Sequence, residues 1–132
     1  VLLKLFKKIK WNPDIIFFDG QGYAHPRKMG IATHIGLFLD QPTIGCAKSR
    51  LTGEYSKPGN EKGSYSLLYD KGMVIGAVLR TRENVKPIFV SPGNHMNLKK
   101  AIEITLSCTT SYKIPEPVRQ ADLFVNKIKK SF

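Results

Sequence analysis

The stretch Ile15-Ile16-Phe17-Phe18-Asp19-Gly20-Gln21-Gly22 decides the fold. An unbroken apolar run of strand length ends at a carboxylate, and a glycine-loosened loop follows. Such a run marks a strand covered on both faces, as in parallel sheets, rather than one with alternating exposure. Downstream, Pro26 to Lys28 leads into a helix expected over about Lys28 to Leu39. Ile31, Ile35 and Leu39 share one face of it, with Gly30 and Gly36 as weak points. Gln41-Pro42 punctuates, and Thr43 to Ala47 reads as a second buried strand. Upstream, Leu2, Leu5, Phe6 and Ile9 recur at helical spacing among lysines, predicting a short helix over residues 2–10 that Asn12-Pro13 stops. Helix, strand, helix, strand is an α/β order, and it predicts neighbouring parallel strands joined by a right-handed crossover.

The middle of the chain changes character. Thr52 to Gly63 is polar and carries Gly and Pro, so it reads as a loop. Tyr65 to Tyr69, Val74 to Thr81 and Pro87 to Ser91 read as strands, with hairpin turns at Asp70-Lys71-Gly72 and Arg82-Glu83-Asn84. Two helices close the chain, about Leu98 to Cys108 with Asn97 as N-cap, and about Pro117 to Lys130 with lysines in its last turn. The whole reads as one domain over residues 1–132.

Composition narrows the function. Lys plus Arg number 21 against 10 Asp plus Glu, a formal charge of +11, which points to a polyanionic partner such as nucleic acid. A hydrophobic content of 42% excludes wholesale disorder. No apolar run approaches the roughly 20 residues of a membrane span, so no membrane partner is expected. The N-terminal helix is expected to pack its Leu and Phe on a sheet rather than on lipid. Two distant cysteines, Cys46 and Cys108, read as buried core thiols of a cytoplasmic protein. The first residues are no signal peptide, since lysines interrupt them, and the missing initiator Met predicts a start inside a longer protein. A monomer is expected.

Three segments carry candidate chemistry. Asp19 stands where a strand meets a loop, the edge at which open α/β sheets bind ligands. A carboxylate there suits Mg²⁺, while Gly20 and Gly22 let backbone approach a ligand. Lys48 and Arg50 end the second strand and are expected at the same rim. A metal-holding acid beside two cations suits a phosphodiester. Val90-Ser91-Pro92-Gly93-Asn94-His95-Met96 lies between a strand and a helix. His95 there reads as a metal ligand, a proton carrier or a plain loop residue, whereas His34, inside the expected helix, reads as a packed or half-buried residue rather than a ligand.

These segments resemble the endonuclease V family. The matching stretches are Asp19-Gly20-Gln21-Gly22 with Ala24-His25-Pro26-Arg27, and Thr43-Ile44-Gly45 with Ala47-Lys48-Ser49-Arg50-Leu51. Further on come Val78-Leu79-Arg80-Thr81, Lys86-Pro87-Ile88-Phe89-Val90-Ser91-Pro92-Gly93 and Ile114-Pro115-Glu116-Pro117-Val118-Arg119. The resemblance implies an α/β, RNase H-like mixed sheet flanked by helices, its first strands missing from this chain. It implies a Mg²⁺-dependent endonuclease, with Mn²⁺ as the alternative ion, acting on inosine-containing DNA or RNA. It implies a cut at the second phosphodiester 3′ of the deaminated base, after that base is turned out of the stack.

Carried across by the same resemblance, Asp19 is the metal-holding Asp. Gly20, Gly30, Ile31, Gly45, Ala47 and Leu51 surround the inosine pocket, Arg50 joins them as a substrate contact, and His25 and Lys48 lie near the scissile phosphate. The family's first-strand Asp, its Arg-Glu pair and its duplex-prying segment have no counterpart here. After Ser-Pro-Gly the family commonly has His, where this chain has Asn94, with His95 one place later. Asn94 would then ligate metal through its carbonyl oxygen, or His95 would substitute. The alternative expectation is a non-catalytic nucleic-acid-binding module.

Overall fold

A computed structural model of the chain describes residues 14–131; the helix expected over residues 2–10 lies outside them. The strands are β1 (Ile16–Asp19), β2 (Thr43–Ala47), β3 (Tyr65–Asp70), β4 (Met73–Leu79) and β5 (Ile88–Pro92). They form one mixed sheet in the order β1-β2-β5-β4-β3. The helices are α1 (Ile31–Leu39), α2 (Leu98–Cys108) and α3 (Glu116–Ser131). As the helix between them requires, β1 and β2 run parallel, with Ile16 level with Thr43 and Asp19 level with Cys46. β5 lies antiparallel to β2, and β3, β4 and β5 form a meander. The β3–β4 turn is the expected one: Lys71 and Gly72 both have positive φ, 52° and 79°, the geometry that matches the twist of a tight hairpin.

Two apolar layers cover the sheet. On one face Ile44, Leu79, Ile88 and Val90 pack with Ala101 and Ile102 of α2. Each such side chain removed from water contributes about 1.5–3 kcal/mol. α2 starts where expected, because the Asn97 side chain accepts from Lys100 N at 2.8 Å. On the other face Ala47, Val78 and Phe89 pack with Leu68, Ile75 and the loop residue Ala24. Arg80 is buried and its guanidinium donates to the carbonyls of Pro58, Gly59 and Val85, which pins the polar Thr52–Gly63 loop to the sheet.

Three expectations change. The β1 run is only partly covered, with Phe18 buried but Ile16 and Phe17 half-buried, because β1 is the edge strand among the described residues. α1 begins at Ile31 rather than Lys28, since Lys28 is left-handed (φ 59°) and Gly30 takes the N-cap position. Its sheet-facing residues are Ala32 and Gly36, while Ile31 is 46% exposed. The helix lies so close that a Cβ on Gly36 would sit 2.6 Å from both Thr43 Oγ1 and Asn94 Cβ. Only small side chains fit that approach, so the larger isoleucines turn aside. Gly36 is therefore a packing requirement rather than a weak point.

Candidate active site

Parallel pairing of β1 and β2 brings Asp19 and Lys48 to the same end of the sheet. The Lys48 ammonium lies 3.6 Å from Asp19 Oδ2. It lies 3.0 Å from a second carboxylate, Asp122 Oδ2. Asp122 arrives from α3: Val118 on that helix is buried, and one turn later on the same face Asp122 meets Lys48. The hydrogen bond that Lys48 donates to Asp122 holds its ammonium above its usual range, against slight desolvation, with the nearby Asp19 charge adding to the effect. Side-chain exposures are 43% for Asp19, 47% for Lys48 and 37% for Asp122. Exposed ion pairs contribute only about 0–1 kcal/mol to stability, so a ligand can open this cluster at little cost.

A cleft of about 380 Å³ opens beside the cluster, walled by Asp19, Gly20 and Gln21 on one side and Ala47 to Leu51 on the other. It gathers the expected Asp19, Gly20, Ala47, Lys48, Arg50 and Leu51. Gln21 ties the two walls together, its Nε2 donating to the Ser49 carbonyl at 3.1 Å. Its buried Oε1 has no hydrogen-bond partner among the described residues.

Other expected site residues fall elsewhere. Ile31 stands at the margin, 3.0 Å from where a Cβ on Gly20 would lie. Gly30 and Gly45 do not line the cleft but lie against the 20–22 loop: a Cβ on Gly30 would meet Gln21 O at 2.3 Å, and one on Gly45 would meet Gly22 N at 2.4 Å. They let the loop that follows Asp19 fold flat onto the sheet. His25 sits half-buried in that loop, where its Nδ1 accepts from Arg27 N at 3.1 Å.

The fold does not bring Asn94 and His95 to Asp19. Pro92 is level with Ile44, so Asn94 lies beyond Thr43, whereas Asp19 is level with Cys46. At about 3.3 Å per residue the two are roughly 13 Å apart along the strands. Asn94 is a cap instead: its Nδ2 donates to Gly36 O at 2.9 Å and Gln41 O at 3.2 Å, closing the C-terminus of α1. The His95 Nε2 pairs with Asp40 Oδ1 at 2.6 Å on the same far side.

Asp122 and Gln21 were not legible as site residues. Asp122 is one of two acids, with Glu116, in a helix whose other charges are basic, and its clue is its spacing from Val118. The donor set suits a hard cation. Two carboxylates facing one ammonium supply oxygen donors, and Mg²⁺ typically takes one or two carboxylates and keeps its waters. Among the described residues no group of three or more His, Cys, Asp or Glu converges. No helix among them is long and apolar enough to cross a membrane.

The profile of the family described as Endonuclease V matches residues 1–123. The endonuclease V of Petrotoga mobilis is 55% identical over 129 residues, which cover 98% of this chain and 58% of that protein. The crystal structure of the Bacillus subtilis endonuclease V superposes with a TM-score of 0.94 at 41% identity, covering 98% of this chain and 56% of the other. That of Ciona intestinalis endonuclease V, in complex with a 23mer DNA containing an inosine followed by a ribo-adenosine, superposes with a TM-score of 0.81 at 28% identity over 98% of this chain and 61% of the other. The chain thus spans a little over half the length of these relatives, and its mixed sheet with flanking helices has the RNase H-like α/β fold. By sequence and by architecture alike, the chain belongs to the endonuclease V family.

Proposed function

We propose that this chain carries the nicking centre of a Mg²⁺-dependent endonuclease that acts on inosine in DNA, with RNA as the alternative substrate, and cuts at the second phosphodiester 3′ of the deaminated base. The observation that carries this reading is the cluster itself: Asp19 and Asp122 share one ammonium, Lys48, at the mouth of a cleft. The Ciona relative in complex with inosine-containing DNA supports the substrate class. The net charge of +11 supports a polyanion, and binding is expected to weaken steeply with salt.

Asp19 is the residue that would hold the ion, leaving Asp122 on Lys48. When bound, Mg²⁺ supplies Lewis acidity and charge neutralisation at the scissile phosphate. Lys48 contributes a second cation for the phosphate oxygens, and Asp122 keeps that ammonium charged and aimed. Arg50 lies at the far wall, with its Nη1 on Gly53 O at 3.0 Å, and offers its remaining donors to the strand. Gly20, Ala47 and Leu51 give the cleft small or apolar walls that fit a base removed from the stack. We assign no step to His25.

One observation favours a binding-only reading: the described residues supply two carboxylates rather than three. A nicking assay on a duplex with a single inosine separates the two. Cuts that require Mg²⁺ and disappear in Asp19→Ala support the enzyme. Tight inosine-dependent binding by the intact protein without any cut favours the module. Equal affinity for inosine and adenosine duplexes, with no cut, defeats both.

A further inference from the structure

The cleft at Asp19 does not end at Leu51. Arg50 and Leu51 also wall a second groove of about 590 Å³, which runs past Glu54 and Tyr69 to Lys71. Glu54 and Tyr69 in turn border a third depression beside Tyr55. The floor of this path is held by backbone: Glu54 N donates to Tyr69 O at 2.7 Å and Tyr69 N to Glu54 O at 2.8 Å. The Arg50–Gly53 hydrogen bond fixes the turn where the two grooves join. Tyr55 stands edge-on against Phe89, with ring centroids 5.6 Å apart, so its ring is braced rather than loose. Both Tyr55 and Tyr69 are exposed.

The charges along the path suit a phosphate chain. Arg50 and Lys71 are exposed cations. Asp70 is neutralised by an ion pair with Lys28, which leaves Glu54 as the groove's other carboxylate. Cations spaced between exposed aromatic faces are the pattern that holds a single nucleic-acid strand without reading its sequence. A purely apolar partner would leave Arg50 and Lys71 desolvated and unpaired.

We infer that this groove carries the single strand of nucleic acid leading away from the Asp19 rim. Arg50 and Lys71 hold its phosphates, and Tyr69 and Tyr55 stack its bases. The inference rests on the proposed function, because continuity with the Asp19 cleft selects the occupant.

The test is fluorescence anisotropy with the intact protein and inosine-containing single-stranded DNA, extended on the 5′ or the 3′ flank. For wild type, extension on one flank, and only one, tightens binding. Tyr69→Ala loses that gain, roughly tenfold per base no longer stacked. Tyr69→Phe keeps the face and restores it. Lys71→Asn, which tolerates the left-handed turn position, lowers the salt slope by about 1 on the long substrate only. Binding to the short inosine strand stays unchanged in all three variants. If wild type binds the short strand but gains nothing from either flank, or Tyr69→Ala and Lys71→Asn keep the full gain, the groove assignment fails alone. If wild type binds no inosine strand at all, the proposed function fails and this inference with it.

Discussion

Replacing Gly45 by Ala tests how the Asp19 loop is held. Gly45 lies mid-strand in β2, level with Phe18 on one side and Ser91 on the other. A methyl group there would sit 2.4 Å from Gly22 N, 2.7 Å from Gln21 C and 2.7 Å from Gly20 O. All three are backbone atoms, so no side chain can rotate away. β2 cannot retreat easily, because it is paired on both edges. The loop must lift instead, straining three hydrogen bonds: Gly22 N to Ser91 Oγ at 2.8 Å, Tyr23 N to Pro92 O at 2.8 Å and Gly30 N to Gly22 O at 2.9 Å. Overpacking costs about 1–3 kcal/mol, backbone shifts included, and with only backbone to yield a loss of about 3 kcal/mol, the top of that range, is expected. At about 4 °C per kcal/mol for a domain of this size, the Tm falls by roughly 12 °C. The lifted loop also moves Asp19 and Gly20, so affinity for an inosine strand falls even well below the new Tm. Thermal unfolding by circular dichroism and anisotropy at low temperature read the two effects. A Tm within about 2 °C of wild type, with binding intact, would refute the idea that the loop rests on Gly45.

Three further outcomes follow from the same structure. Asp122→Asn removes the main partner that raises the Lys48 pKa, so the alkaline limb of the nicking pH profile shifts to lower pH. The rate falls about 10- to 100-fold, as for other partners that orient a site's charged groups; an unshifted limb argues against the pairing. Cys46, with burial pushing its thiol up to about 12, stays unlabelled by iodoacetamide in the folded protein at pH 8, whereas half-buried Cys108 reacts; mass spectrometry reads both, and labelled Cys46 contradicts its burial. The Arg119 guanidinium lowers the Glu116 carboxyl from 4.5 to about 2, aided by Gln120 and Thr110. Because the folded pKa is depressed, that anchoring of α3 is complete above pH 4.5 and is lost as pH falls towards 2, which a carboxyl NMR titration of Glu116 checks by its midpoint.

The strands were readable because their residues answer to local rules. β2 is buried throughout, with Thr43 its one side chain bearing a hydroxyl, and the Asn97 cap marks the start of α2. The sheet order is another matter. Nothing in Ile88–Pro92 says that it pairs with β2 rather than with β1, and that choice decides what is near Asp19. β5 runs antiparallel to β2, which sends the Ser91-Pro92-Gly93-Asn94 turn to the far end of the sheet. There Asn94 N donates to Thr43 Oγ1 at 2.8 Å, and the Asn94 amide closes α1. A lone polar residue after a glycine looks the same in sequence whether it caps a helix or holds a metal.

Asp122 shows the converse case. A register of one turn separates it from the buried Val118, and only the docking of α3 beside β1 turns that register into proximity to Lys48. Without Asp122, Lys48 would have Asp19 as its one carboxylate in the cluster, at 3.6 Å, and a cation bound by Asp19 would compete with it directly. With Asp122 at 3.0 Å the ammonium keeps a partner when Asp19 engages a positive ligand. Two acids around one lysine therefore allow the rim to present two cations to a phosphate at once, where a single pair would allow one. That separation of roles makes distinct demands on the two carboxylates. Asp19→Asn should abolish metal-dependent cutting while leaving salt-sensitive binding, because Lys48 stays held by Asp122. Asp122→Asn should weaken both, because Lys48 then falls back on Asp19 and shields it.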